Sequence, residues 1–191
     1  MDRSEAFLCR ARAGALAGEE YVAADVGRMP LRIAGVRARP DLIYARFLAS
    51  HLSEPEETIS GWAKELEPGG LLVVEEVDSI STNVAAFDEY LKIVSEVLAQ
   101  HGNELFVGPR LAAMQWDATL RIQVNRSTDV RPTIRQAARM FSMNLPNWRH
   151  DPFVEGATYP PEKLERLAVE LDRLTAFADT GRIVRCSGSR T

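Results

Sequence analysis

Leu66-Glu67-Pro68-Gly69-Gly70-Leu71-Leu72-Val73-Val74-Glu75-Glu76 carries a helix end, a tight turn and a strand in immediate succession. Pro68 cannot continue a helix, and Gly69-Gly70 gives the backbone the freedom a turn needs. The apolar run Leu71 to Val74 then suits a central parallel strand covered by helices on both faces. Glu75 and Glu76 follow at its carboxyl end, the edge at which open α/β sheets bind ligands. On sequence alone, solvation at a strand end explains this pair better than catalysis does.

Upstream of this stretch, helix and strand periods alternate, the pattern that builds parallel βαβ units. A helix is predicted from Ser4 to Leu16, capped by Ser4, with Phe7, Leu8, Ala11 and Ala15 on one face and Gly18 as its stop. A short strand, Tyr21 to Ala24, is expected next, and then a buried strand, Asp41 to Ala45. Ser53 with Glu56 forms a capping box for a helix whose buried stripe is Ile59, Trp62, Ala63 and Leu66. Downstream, Phe87 to His101 reads as an amphipathic helix ended by Gly102, and Thr119 to Val124 as a strand. Two further helical faces run from Ile134 to Leu145 and from Leu164 to Ala178, the second opened by Pro160 and Pro161. Arg182 to Ser187 is expected to close the chain as a strand.

Composition narrows the function classes. The 191 residues are 46% hydrophobic and 26% charged, an ordinary globular balance that makes a single domain the default. No apolar run nears the roughly 20 residues that crossing a bilayer requires. The opening Met1-Asp2-Arg3-Ser4-Glu5 lacks the features of a secretory signal, so a cytoplasmic location and no membrane partner are expected. A net charge of -4, with no clustered basic run, argues against a nucleic-acid partner. Cys9 and Cys186 make no metal-type spacing and are expected to be buried thiols, and three scattered histidines make no metal site.

Taken in order, four stretches resemble class I S-adenosylmethionine-dependent methyltransferases. Asp2-Arg3-Ser4-Glu5-Ala6-Phe7-Leu8 is similar to the end of the family's second strand and the following helix. Ala24-Asp25-Val26 with Met29-Pro30-Leu31 is similar to its Gly-Asp-Ala and Leu-Pro-Phe stretch. Asp41 to Leu48, then Ser50-His51-Leu52, resembles the fourth strand and the loop over the methionine end of the cofactor. The stretch from Leu66 to Glu75 resembles the turn into the fifth strand, and the remainder resembles the C-terminal portion of small-molecule members.

The resemblance implies an α/β fold: a Rossmann-like sheet flanked by helices, with a helical insertion in the C-terminal half. Residues 1–78 would be the cofactor-binding part, and 79–191 the insertion and closing antiparallel strands of the same domain. S-adenosylmethionine is the implied cofactor, contacted by Asp2 at the ribose, by Asp25 and the Val26 backbone at the adenine, and by Ala45 and Arg46 at the fourth strand. His51 would face the transferred methyl group and accept a proton from the nucleophile. Trp148 and His150, read as part of a loop between Pro146 and Pro152, are the candidate substrate contacts.

The family's first strand and glycine-rich cofactor loop have no counterpart ahead of Asp2, so the sheet is expected to be incomplete at its centre and the start shortened relative to the family. Two functional readings stay open. One is a methyltransferase-like protein acting on a small molecule, inactive if the missing loop is indispensable. The other is a non-catalytic remnant that associates with itself or with a partner, as unpaired strand edges favour. Each candidate also has a plainer reading: Asp2 as a terminal residue, Asp25 as a turn cap, His51 and His101 as capping groups, and the 148–151 cluster as ordinary loop composition.

Overall fold

Leu71 to Val74 does form a strand, and it continues well beyond Glu76. The computed structural model describes residues 1, 4–31, 38–116, 120–176 and 185–190; for 157, 158 and 185–190 it describes the backbone alone. Strand β1 is Leu42–Arg46, β2 Leu71–Ser81, β3 Arg126–Val130 and β4 Arg185–Arg190. They form one sheet in the order β1-β2-β4-β3.

The hydrogen bonds beside the β1/β2 pair advance along both strands together. The Leu71 amide donates to the Asp41 carbonyl, and the Phe47 amide to the Glu75 carbonyl, so β1 and β2 run parallel. β4 enters antiparallel to β2, from Glu75 opposite Arg190 to Ser81 opposite Arg185, with an irregularity between Val77 and Ser79. β3 pairs antiparallel on its other side. The expected mixed α/β arrangement with a closing antiparallel pair is therefore present, and β1 is an outer strand among the described ones.

The chain divides into two units, with the boundary falling inside β1 and β2. Unit 1 comprises Met1–Ala45, Glu54–Val73 and Gln115–Ile122. Its helices are α1, Glu5–Ala13, and α2, Pro55–Glu65. Ser4 caps α1 as expected, accepting from the Phe7 amide. The helix stops at Gly14, short of Gly18, and it buries Leu8 while Phe7 stays exposed. The predicted Tyr21–Ala24 strand reduces to an isolated bridge at Ala23. Side chains hold this segment instead of a ladder: Arg12 donates to the Tyr21 carbonyl, and the Tyr21 hydroxyl bonds to Glu19.

The Ser53–Glu56 box also fails to form, because Pro55 occupies the first turn of α2 and moves the N-cap to Glu54, where no side chain caps the amides. The apolar stripe of α2 is as read, with Ile59, Trp62 and Leu66 buried. Cys9 is exposed, contrary to expectation, because it lies on the outer face of α1.

Unit 2 comprises Arg46–Ser53, Val74–Met114 and Gln123–Thr191. Its core is helical: α3 is Ala85–Gln100, the short α4 Gly108–Ala113, α5 Ile134–Trp148 and α6 Pro161–Thr175. Phe87 meets Phe141 edge-on with ring centroids 5.2 Å apart, and Tyr90 stacks on Phe141 at 4.2 Å. Leu164, Leu167, Leu171 and Leu174 complete this core from α6. A full capping box starts α5, with Thr133 and Gln136 bonding reciprocally.

The strand expected at 119–124 is displaced. Thr119 lies outside the described residues, Leu120 to Asn125 is irregular, and the strand begins at Arg126 with every residue exposed. The apolar alternation in Leu120-Arg121-Ile122-Gln123-Val124 misdirected that reading, since β3 is held by its ladder to β4 and not by burial. No described helix is long and apolar enough to cross a membrane.

Candidate functional site

In unit 2 the carboxyl end of β1 meets the middle of β2 at a tightly fixed turn. Phe47, directly after β1, adopts φ 52°, a left-handed conformation that a bulky side chain rarely takes without compensation. Its amide donates to the Glu75 carbonyl at 3.0 Å. Arg46 pairs with Glu75, Nε to Oε2 at 3.5 Å, and lays its guanidinium 4.6 Å from the Phe47 ring centroid. The following 3-10 turn, Ala49–His51, buries Ala49 and Ser50.

Glu76 closes this arrangement from within β2. Val74 and Glu76 occupy alternate positions of the strand and both are buried, Glu76 to 2% exposure. The Glu76 Oε1 atom accepts from the Leu48 and Ala49 amides, each at 2.7 Å, and the Ser50 amide adds to them. Oε2 is buried and has no hydrogen-bond partner among the described residues. Burial raises the Glu76 pKa above its ordinary 4.5, against the opposing pull of the amides. The plain reading of a solvated strand-end pair therefore fails for Glu76. A carboxylate at an inward-phase position, beside Val74, is the signal that should have announced a buried acceptor.

Among the sequence-predicted residues, Arg46 and His51 lie in this segment of unit 2. Burial lowers the His51 pKa below 6.5, which favours the neutral imidazole. Ala45, in unit 1, is buried in the last turn-ward part of β1 at 6% exposure. Asp25 and Val26, also in unit 1, share one turn. The Asp25 carboxylate accepts from the Gly27 amide and pairs with Arg28, while the Val26 carbonyl accepts the Trp62 indole N–H at 2.9 Å. Asp2 lies outside the described residues.

Trp148 and His150 belong to different surroundings. Trp148 is the last residue of α5 and not part of a loop, because the helix carries Pro146 inside it. Its ring is in the core against Tyr90, whose hydroxyl accepts the indole N–H at 3.3 Å. His150 is exposed and paired with Glu155 at 2.9 Å. His101 caps α3 and bonds to Asp151 at 2.7 Å, which holds the Asp151 carboxyl below its ordinary value.

A cleft of about 1150 Å³ opens between the start of α3 and α6, lined by the ion pair Glu89–Lys163 and by Arg149. None of the predicted site residues among the described ones lines it, Arg149 being only their neighbour in sequence. Among the described residues, no group of three or more His, Cys, Asp or Glu is arranged to hold a metal ion.

Two solved structures are similar to this chain in different degree. A provisionally assigned methyltransferase from Bacillus halodurans C-125 is 17% identical, with a TM-score of 0.53 over 99% of this chain and 80% of its own. The chain thus has the fold of that structure. A phosphoethanolamine N-methyltransferase from Haemonchus contortus, solved with phosphomonomethylethanolamine and S-adenosylhomocysteine, is 15% identical, with a TM-score of 0.36 over 78% of this chain and 32% of its own. No family model and no curated protein sequence matches the chain.

Proposed function

We propose that this chain works as an S-adenosylmethionine-dependent methyltransferase-type protein on a small molecule, with the turn at the carboxyl end of β1 as the heart of its site. The observation that carries the reading is the pre-set turn from Phe47 to His51, whose unfavourable backbone is held by Glu75 and Glu76 at the ligand-binding edge of a methyltransferase fold.

The residues fit such a cofactor in three respects. Ala45 is small enough to let a ligand approach the end of β1. The backbone of the turn is already fixed by Glu75 and Glu76 and needs no ordering on binding. Asp25 keeps acceptor capacity after capping its own turn, because a carboxylate offers about four lone-pair sites. By resemblance, Asp25 and Val26 receive the adenine, Asp2 the ribose, and Ala45 and Arg46 the remainder.

When bound, the cofactor supplies an electrophilic methyl group on a sulfonium centre. His51, favoured in its neutral form, accepts the proton that a substrate hydroxyl or amine gives up. The rest of the rate enhancement would come from orientation. Trp148 is spent on the core, so substrate contacts fall to exposed groups, His150 included.

The test is calorimetric titration with S-adenosylhomocysteine. The unaltered chain is expected to bind in the micromolar range, and Asp25→Ala to weaken binding by about 10- to 100-fold, the worth of a charge-assisted hydrogen bond. Absence of binding by the folded, unaltered chain would refute the reading. A second reading has its own observation: Leu42, Tyr44 and Phe47 are each half exposed along and just beyond outer strand β1, as a self-associating chain would present. A stable oligomer indifferent to the cofactor would favour it.

A further inference from the structure

We infer that Glu76 is a positioning residue, fixing from inside β2 the backbone of Leu48 to Ser50 and thereby the turn that presents Arg46, Phe47 and His51. The inference rests on the cofactor-binding reading above and adds the device that makes that site rigid.

A buried carboxylate is an expensive choice for stability alone. Removing it from water disfavours its charge, and here Oε2 finds no partner among the described residues to offset that. An apolar residue would continue the Val74 face of the strand at less cost. What the carboxylate does supply is directional: consecutive amides, Leu48 and Ala49, both point at Oε1 at 2.7 Å.

Those amides follow immediately after Phe47, whose φ of 52° persists only while its neighbours over-determine it. The Phe47 amide is held by the Glu75 carbonyl on one side, and Glu76 holds the next residues on the other. Adjacent residues of β2 therefore grip the turn on both sides of its strained residue. His51 is carried at its end, its amide bonded to the Leu48 carbonyl at 3.0 Å. Glu76 then acts on ligand binding through the backbone, without touching the ligand.

The experiment compares S-adenosylhomocysteine binding by the full chain, Glu76→Gln and Glu76→Ala, with folding checked by circular dichroism. Glu76→Gln retains a carbonyl oxygen in the acceptor position, so its affinity is expected within about threefold of the unaltered chain. Glu76→Ala removes the acceptor and is expected to lose tenfold or more while remaining folded. Equal affinity in a folded Glu76→Ala, or equal losses in both variants, would overturn the proposal. Failure of the unaltered chain to bind would instead overturn the cofactor reading, and this one with it. If Glu76→Ala does not fold, amide exchange of the unaltered chain decides: Leu48 and Ala49 exchanging as slowly as the β2 ladder supports the clamp, and free exchange refutes it.

Discussion

Three side chains at the carboxyl edge divide the chemistry between them. Glu76 holds the turn, Arg46 bridges Glu75 and the Phe47 ring, and His51 offers an imidazole whose burial favours the neutral form. If His51 is the base, only its unprotonated form works, and because its pKa lies below 6.5 the acid limb of a transfer–pH profile should also lie below 6.5. His51→Ala should remove that limb and slow transfer by about 10²- to 10⁴-fold while leaving S-adenosylhomocysteine affinity near that of the unaltered chain. A profile that stays unchanged in His51→Ala would exclude the role. Asp25 shows how a single residue can serve two readings: the predicted turn cap is observed, and lone pairs remain for a ligand.

At the level of elements, strength of pattern set what could be read. The α5 capping box illustrates a local rule: Thr133→Ala removes one of its two reciprocal bonds and should cost about 1 kcal/mol, seen as a lower urea midpoint at unchanged slope. The faces of α3, α5 and α6 were legible because long 3.6-residue periods bury them against one another, as Phe87, Phe141 and Leu171 do. β2 was legible for its apolar run, although half of its length beyond Glu76 was not, since its polar residues are paired with β4 and need no apolar signal. The same reason hid β3, whose Arg-Ser-Thr-Asp-Val is wholly exposed. The α2 start was misread because Pro55 outranked the Ser53 box. Within the site, His51 and Arg46 stood out by position, whereas the strained Phe47 and the inward Glu76 depend on a tertiary arrangement that no local pattern encodes.

For the whole molecule, a fold by itself assigns no activity, so the proposed site stands on the residues around the turn after β1. Among the described strands, the sheet places parallel β1 beside β2 and inserts β4 antiparallel between β2 and β3, so the chain leaving β1 turns away beside the middle of β2, at Glu75 and Glu76. The helical core of α3, α5 and α6 buries its aromatic and leucine residues without using any residue of that edge. Trp148 belongs to this core, which is why it reads as scaffold. The central claim is that the edge after β1 is where the cofactor sits. Amide hydrogen exchange with and without S-adenosylhomocysteine tests it most directly. Slowed exchange is expected at residues 45–51 and at Asp25 and Val26, with α5 and α6 unchanged. Protection confined to α5 and α6, or no ligand-dependent change anywhere in the folded chain, would contradict the account.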